Sequence, residues 1–213
     1  MTGMEQSSAL DALLAGFVAG SLPRATQALV AAHLELSPRN QPFVQALDQD
    51  FTRHAEMSQV PVLHERNARL AAILSLPREP ALPVSTDAML PGALGVFCGR
   101  PLDALDWRFV LPGIREHRFA VEEGVEASFI RIKAGRSVPA HTHGGSEITL
   151  LLKGGFTDIT GHYTRGDMVI VDGDIDHKPV ADMGEDCLCF AVTDAPLRLT
   201  GTFGRFFSRF LPH

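Results

Sequence analysis

The chain has 213 residues, 45% hydrophobic and 21% charged, the composition of a soluble globular protein with room for one large domain or two small ones. No apolar run approaches the roughly 18 residues of a membrane span, and the start, Met-Thr-Gly-Met-Glu-Gln-Ser-Ser, lacks the basic and apolar regions of a signal peptide. The net charge of −6 has no block of like sign, which argues against direct nucleic-acid binding through a basic face, and three cysteines, Cys98, Cys187 and Cys189, form no disulfide framework, as suits a reducing cytoplasm.

Residues 1–76 read as four short amphipathic helices. Ser7 or Ser8 is placed to cap the first, whose Leu10, Leu13, Leu14 and Phe17 repeat at helical spacing until Gly20. Ser21 and Pro23 open the second, with Leu22, Ala25, Leu29, Ala32 and Leu36 as its apolar stripe. Asn40 and Pro42 open the third, which carries Phe43, Val44, Leu47 and Phe51. Pro61 opens the fourth, with Leu63, Leu70, Ile73 and Leu74 on one side. Such helices predict a small bundle with little core of its own, which gains from a partner that covers its apolar surface.

Residues 77–91 are punctuated by Pro77, Pro80, Pro83 and Pro91 and read as an extended linker. From Gly92 to residue 213 the pattern is β. The runs Trp107–Leu111, Val125–Lys133, Ile148–Lys153, Met168–Asp172 and Leu188–Val192 are separated by Gly or Asp turns, as in a sandwich or barrel. Phe203, Phe206, Phe207 and Phe210 recur at helical spacing and predict a short C-terminal helix. The fold class expected is therefore α+β.

The densest chemical signal is Gly135-Arg-Ser-Val-Pro-Ala-His141-Thr-His143-Gly-Gly-Ser-Glu147-Ile-Thr-Leu-Leu-Leu-Lys-Gly154. His141 and His143 share one face of an extended strand, and Glu147 opens the strand that returns beside it. Two imidazoles and one carboxylate around a common point suit a divalent first-row metal. Other titratable groups near by, Asp158, His162, Tyr163 and Asp176, make a thin acid–base set, and His162 and Tyr163 read as turn residues of a hairpin. Cys187 and Cys189, at i and i+2 of a strand, read as small buried hydrophobes, a spacing poorly suited to a disulfide. His33, between Leu29 and Leu36, reads as a core histidine.

The Gly135–Gly154 stretch resembles the first motif of the cupins, barrels built as a double-stranded β-helix. Gly166-Asp-Met-Val-Ile-Val-Asp172-Gly173-Asp174-Ile-Asp-His177 resembles the second, with Asp172 and Asp174 in place of its Pro and Gly. That resemblance implies His141, His143, Glu147 and His177 as metal ligands. Three neutral imidazoles and one carboxylate leave a divalent ion with one net positive charge. Zn²⁺ fits as a closed four-coordinate site, whereas Fe²⁺, Mn²⁺ or Ni²⁺ would keep open positions.

The whole chain resembles the ChrR-type anti-sigma factors, through Leu13-Leu-Ala-Gly-Phe-Val-Ala-Gly20, His33-Leu-Glu-Leu36, the cupin motifs and Asp186-Cys-Leu-Cys-Phe-Ala-Val-Thr-Asp-Ala-Pro-Leu-Arg198. This implies a helical domain that binds an ECF-type sigma factor, and a zinc-binding cupin that responds to a photo-oxidative signal, in the cytoplasm. The family's second zinc motif, His-x3-Cys-x2-Cys, is degenerate here: Ser37 and Asn40 stand at the cysteine positions after His33, so no metal is expected in the helical domain. The alternatives weighed beside this reading are a metal-dependent cupin enzyme, such as a small-molecule dioxygenase or isomerase, and a regulator whose sigma-binding function has decayed.

Overall fold

The computed structural model describes residues 3–57, 64–77 and 84–200, with side chains from Ser7 onward. Among these, α1 (Gly3–Ala19), α2 (Arg24–Leu36), α3 (Gln41–Met57), α4 (Arg66–Leu74) and α5 (Gly92–Cys98) precede an all-β region. None of these helices is by itself long and apolar enough to cross a membrane. The expected C-terminal helix and the Pro61 start of the fourth helix lie outside the described residues.

Three helical expectations are corrected. First, α1 starts at Gly3, ahead of Ser7 and Ser8, because Met4, Glu5 and Gln6 all continue a helix readily; its end at Gly20 (φ 64°) is as expected. Second, α2 starts at Arg24, with Pro23 just before the helix rather than in its first turn and Ser21 outside it. The Ser21 hydroxyl turns back to the Gly16 carbonyl, while the Arg24 N–H at the start of α2 donates to the Glu123 carboxylate at 2.6 Å. Third, residues 92–98 form a fifth helix rather than opening the β region. The stretch Gly-Ala-Leu-Gly-Val-Phe-Cys has no amphipathic period, and its helicity is fixed by neighbours. Glu35 of α2 accepts hydrogen bonds from the Gly92 and Ala93 N–H groups at 2.6 and 2.9 Å, satisfying donors that α5 leaves free. Glu35→Ala is therefore expected to lower stability by about 1–2 kcal/mol, read as a shift in the urea midpoint; an unchanged midpoint would show that water replaces both bonds at no cost.

The strands are β1 (Arg108–Leu111), β2 (Ile114–Arg118), β3 (Glu126–Ile132), β4 (His141–His143), β5 (Glu147–Lys153), β6 (Gly155–Asp158), β7 (Gly161–Thr164), β8 (Met168–Val171), β9 (Val180–Ala181), β10 (Cys187–Thr193) and β11 (Leu197–Leu199). A six-stranded antiparallel sheet runs β1-β2-β3-β10-β5-β8, faced by β7-β6-β9 and joined by the pair β11-β4. All five β-rich runs of the sequence lie on strands of the six-stranded sheet. The additional strands are short, and β2, Ile-Arg-Glu-His-Arg, carries too few apolar residues to stand out.

Alternation sorts the sheet's residues between two cores. Ile114, Ile132, Leu151, Val169, Cys187 and Cys189 pack with Phe156 and Ala181 of the facing sheet to fill the barrel. Leu150, Leu152, Leu188, Phe190 and Val192 point outward and are covered by Ala25, Leu29 and Ala32 of α2 and Leu94 of α5. This double coverage explains the unbroken apolar text of Leu150–Leu152 and Cys187–Val192, the pattern of a sheet buried on both faces. It also replaces the expected four-helix bundle. α2 is seated on the sheet, α1 packs on α2 and α3, and α3 and α4 bury none of their described residues.

His33 locks α2 to the barrel. It is 1% exposed; Nδ1–H donates to the Gly166 carbonyl at 2.9 Å, and Nε2 accepts from the Asn40 amide at 2.8 Å. Gly166 takes φ 90°, and a Cβ there would come within 3.3 Å of Leu36 Cβ, so glycine allows both the turn and the close approach of α2. Both ring nitrogens of His33 are thus occupied by hydrogen bonds, and Asn40, at a degenerate motif position, supplies one of them.

Candidate metal centre

The three histidines converge through backbone pairing. His141 and His143 lie on β4 with both side chains buried, as their i, i+2 spacing requires. His141 N–H donates to His177 O and His177 N–H to His141 O, each at 3.0 Å, and this bridge brings the two rings to a centroid separation of 4.3 Å. The turn before His177 forms without the motif's Pro and Gly: the Asp172 carboxylate accepts from the Asp174 N–H at 3.1 Å. The Thr142 hydroxyl ties β4 to Gly173 at 2.7 Å.

The imidazoles are 2–4% exposed. Nδ1–H of His141 donates to the Pro139 carbonyl and Nδ1–H of His177 to the Asp158 carboxylate, both at 2.8 Å. With those protons fixed, the two Nε2 atoms face each other as lone pairs at 2.9 Å, and His143 Nε2 lies 3.3 Å from His177 Nε2. Nitrogens bound at about 2.1 Å around a tetrahedral ion stand about 3.4 Å apart. The donor set therefore fits a cation, whose charge turns a repulsive cluster of lone pairs into a ligand set. Burial, reinforced by the His177 imidazole, depresses His141 to about 4 despite its bond to Pro139, and the same two causes bring His143 to about 4. Both are neutral at pH 7, as ligation requires.

Glu147 stands beside this cluster. It shares the interior face of β5 with Thr149 and Leu151, but its Oε1 accepts from the Thr149 hydroxyl at 2.9 Å, and its Oε2 lies 3.6 Å from His143 Nδ1. That Nδ1 is buried without a hydrogen-bond partner among the described residues. The structure thus groups His141, His143 and His177 and leaves Glu147 adjacent.

The remaining candidates separate cleanly. His162 is half-exposed and paired with Asp182 at 2.8 Å on the β6–β7 hairpin; the Tyr163 hydroxyl donates to Thr160, and Asp176 accepts from Thr200 at the surface. Cys187 and Cys189 lie inside the barrel with sulfurs 3.6 Å apart, and the Cys187 sulfur, together with burial, pushes the Cys189 thiol well up, which keeps it protonated. Of the four acid–base candidates, Asp158 is the one that reaches the histidine cluster. Its sequence setting, Thr-Asp-Ile-Thr-Gly, made it one acid–base candidate among several, and with its partner 19 residues away no local signal tied it to His177.

Comparison with known proteins agrees with this architecture. Residues 100–196 match the family model described as a ChrR cupin-like domain. The anti-sigma-E factor ChrR of Cereibacter sphaeroides is 35% identical over 205 residues, 95% of this chain and 92% of that protein. A crystal structure of Rhodobacter sphaeroides SigE in complex with the anti-sigma ChrR superposes with a TM-score of 0.74 at 33% identity, covering 86% of this chain and 96% of that one. With a helical region and a cupin barrel aligned together over almost its whole length, the chain belongs to the ChrR family of anti-sigma factors.

Proposed function

We propose that the protein binds an ECF-type sigma factor through its helices and keeps it inactive, and that the cupin, holding one Zn²⁺ on His141, His143, His177 and Glu147, governs release under photo-oxidative stress in the cytoplasm. The observation that carries the reading is the unpartnered apolar surface of the helices. Phe51 and Met57 of α3 are 48% and 79% exposed, and Ile73 and Leu74 of α4 are 63% and 75% exposed. Two amphipathic helices with uncovered apolar residues are what a protein partner would bury. That the related ChrR was crystallised with SigE supports the same assignment.

Residues 1–76 serve as the sigma-binding unit, 77–91 as linker and 92–213 as the cupin, with α2 reaching across to the barrel. Glu147 completes the ligand set by turning its carboxylate from Thr149 toward the imidazoles. A change at the cupin then shifts the balance between the sigma-bound and released forms. Co-expression with the sigma factor encoded beside it should give a stable complex. Phe43→Asp with Phe51→Asp should weaken that complex at least about 30-fold, as removal of an aromatic anchor does. Absence of a complex, or wild-type affinity in the double variant, would sink the proposal.

A further inference from the structure

Of the three clustered imidazoles, only His177 hydrogen-bonds a carboxylate through its outer nitrogen among the described residues; Glu147 stays 3.6 Å from His143 Nδ1. Asp158 ends β6, and its side chain is fully buried, as is nearly all of His177 at 3% exposure. Its two oxygens have separate tasks. Oδ1 accepts from the Thr160 N–H at 2.8 Å, the Thr160 hydroxyl at 2.5 Å and the Gly161 N–H at 3.2 Å, which pins the carboxylate to the turn between β6 and β7. Oδ2 accepts from His177 Nδ1–H at 2.8 Å. The Tyr163 hydroxyl donates to Thr160 at 3.0 Å and holds the turn in place. By contrast His141 gives its Nδ1–H to a neutral backbone carbonyl.

We propose that Asp158 is the outer positioning residue of the metal site, fixing His177 as the tautomer that ligates through Nε2 and supplying the charge that neutralises the buried ion. A divalent cation with Glu147 retains one positive charge, and a net charge in so buried a site is costly. Asp158 brings the sum to zero. A carboxylate on the far nitrogen also raises the basicity of the ligating one and fixes the ring plane. The assignment rests on the reading that the imidazoles hold a divalent ion.

The test uses the full chain with Zn²⁺ and Co²⁺ in competition with a chelator. Asp158→Asn and Asp158→Ala should each weaken metal binding about 10–100-fold and shift the visible Co²⁺ spectrum. Thr160→Ala, which loosens the turn but keeps the carboxylate, should bind within about threefold of wild type, which a merely structural role of the turn would not allow. Melting in excess chelator checks that the metal-free variants fold. If they do not, ring-nitrogen NMR of the metal-loaded wild type decides, with a proton on Nδ1 of His177 expected. The opposite tautomer, or Asp158→Asn within about twofold of wild type, overturns the proposal while leaving the metal site standing. A wild-type chain that binds neither ion overturns the metal reading and this one with it.

Discussion

His177→Ala is expected to abolish metal binding at the proposed site. Structural Zn²⁺ sites are worth roughly 10–16 kcal/mol, so one of the four proposed ligands would carry about 3 kcal/mol, a loss of at least about 100-fold in affinity. The loss at His177 should exceed that at His143. His177 Nε2 lies between the other two Nε2 atoms at 2.9 and 3.3 Å, and His177 alone links the pair on β4 to the Asp158 side of the barrel. Metal content of the purified variant, measured by elemental analysis, should fall from about one ion per chain to near zero. A variant that keeps its full metal content would show that the ion is held elsewhere. His141 and His143, depressed to about 4 by burial and by His177, carry no proton that a metal must displace at neutral pH.

His33→Leu is the second large effect, and it acts on the junction between helices and barrel. The substitution keeps bulk but leaves the Gly166 carbonyl and the Asn40 amide without their partner, in a site where His33 is 1% exposed. Two lost hydrogen bonds with desolvated remnants cost about 2–4 kcal/mol. The exposed Arg39–Asp167 ion pair next to it, at 2.9 Å, is worth less than about 1 kcal/mol by comparison.

The histidine's contribution depends on pH. Burial first, and then Arg39, lower the His33 pKa below its ordinary 6.5, against the opposing effects of the Gly166 carbonyl and Asp167. The unfolded chain therefore takes up a proton before the folded one does, and stability declines as pH falls below 6.5. His141 and His143 act in the same direction in the metal-free protein, so the comparison that isolates His33 is wild type against His33→Leu. The difference between their urea midpoints should be largest above about pH 7 and shrink toward pH 5. A difference that stays constant over that range would mean that His33 does not have to be neutral to lock α2.

Much of the fold was legible because its signals are local. The α+β division, the runs that became β1, β3, β5, β8 and β10, and the convergence of His141 and His143 on one face all follow from periodicity. The helices fared unevenly. α1 and α3 announce themselves by stripes and breakers, but α5 has no stripe and owes its ends to Pro91, Gly99 and the Glu35 carboxylate. The expected bundle did not form because α2 buries Ala25, Leu29 and Ala32 in a core shared with α5 and the outer face of the six-stranded sheet. An unbroken run such as Leu150-Leu-Leu152 records that the sheet is covered on both sides, but not by what.

By itself the sequence determined which residue types meet at the site: two histidines on one short strand, a third on a return turn, and a family resemblance spanning the chain. Only the tertiary structure decided the surroundings of those ligands. It set Asp158 against His177 from 19 positions away and left Glu147 on Thr149 beside the cluster. It also closed His33 between Asn40 and Gly166, 133 residues beyond it in the chain. The physical reason is the range of the forces involved. Spacing along a strand or helix fixes which side chains share a face, whereas hydrogen bonds between buried groups depend on how separate elements pack, which no stretch of sequence records alone.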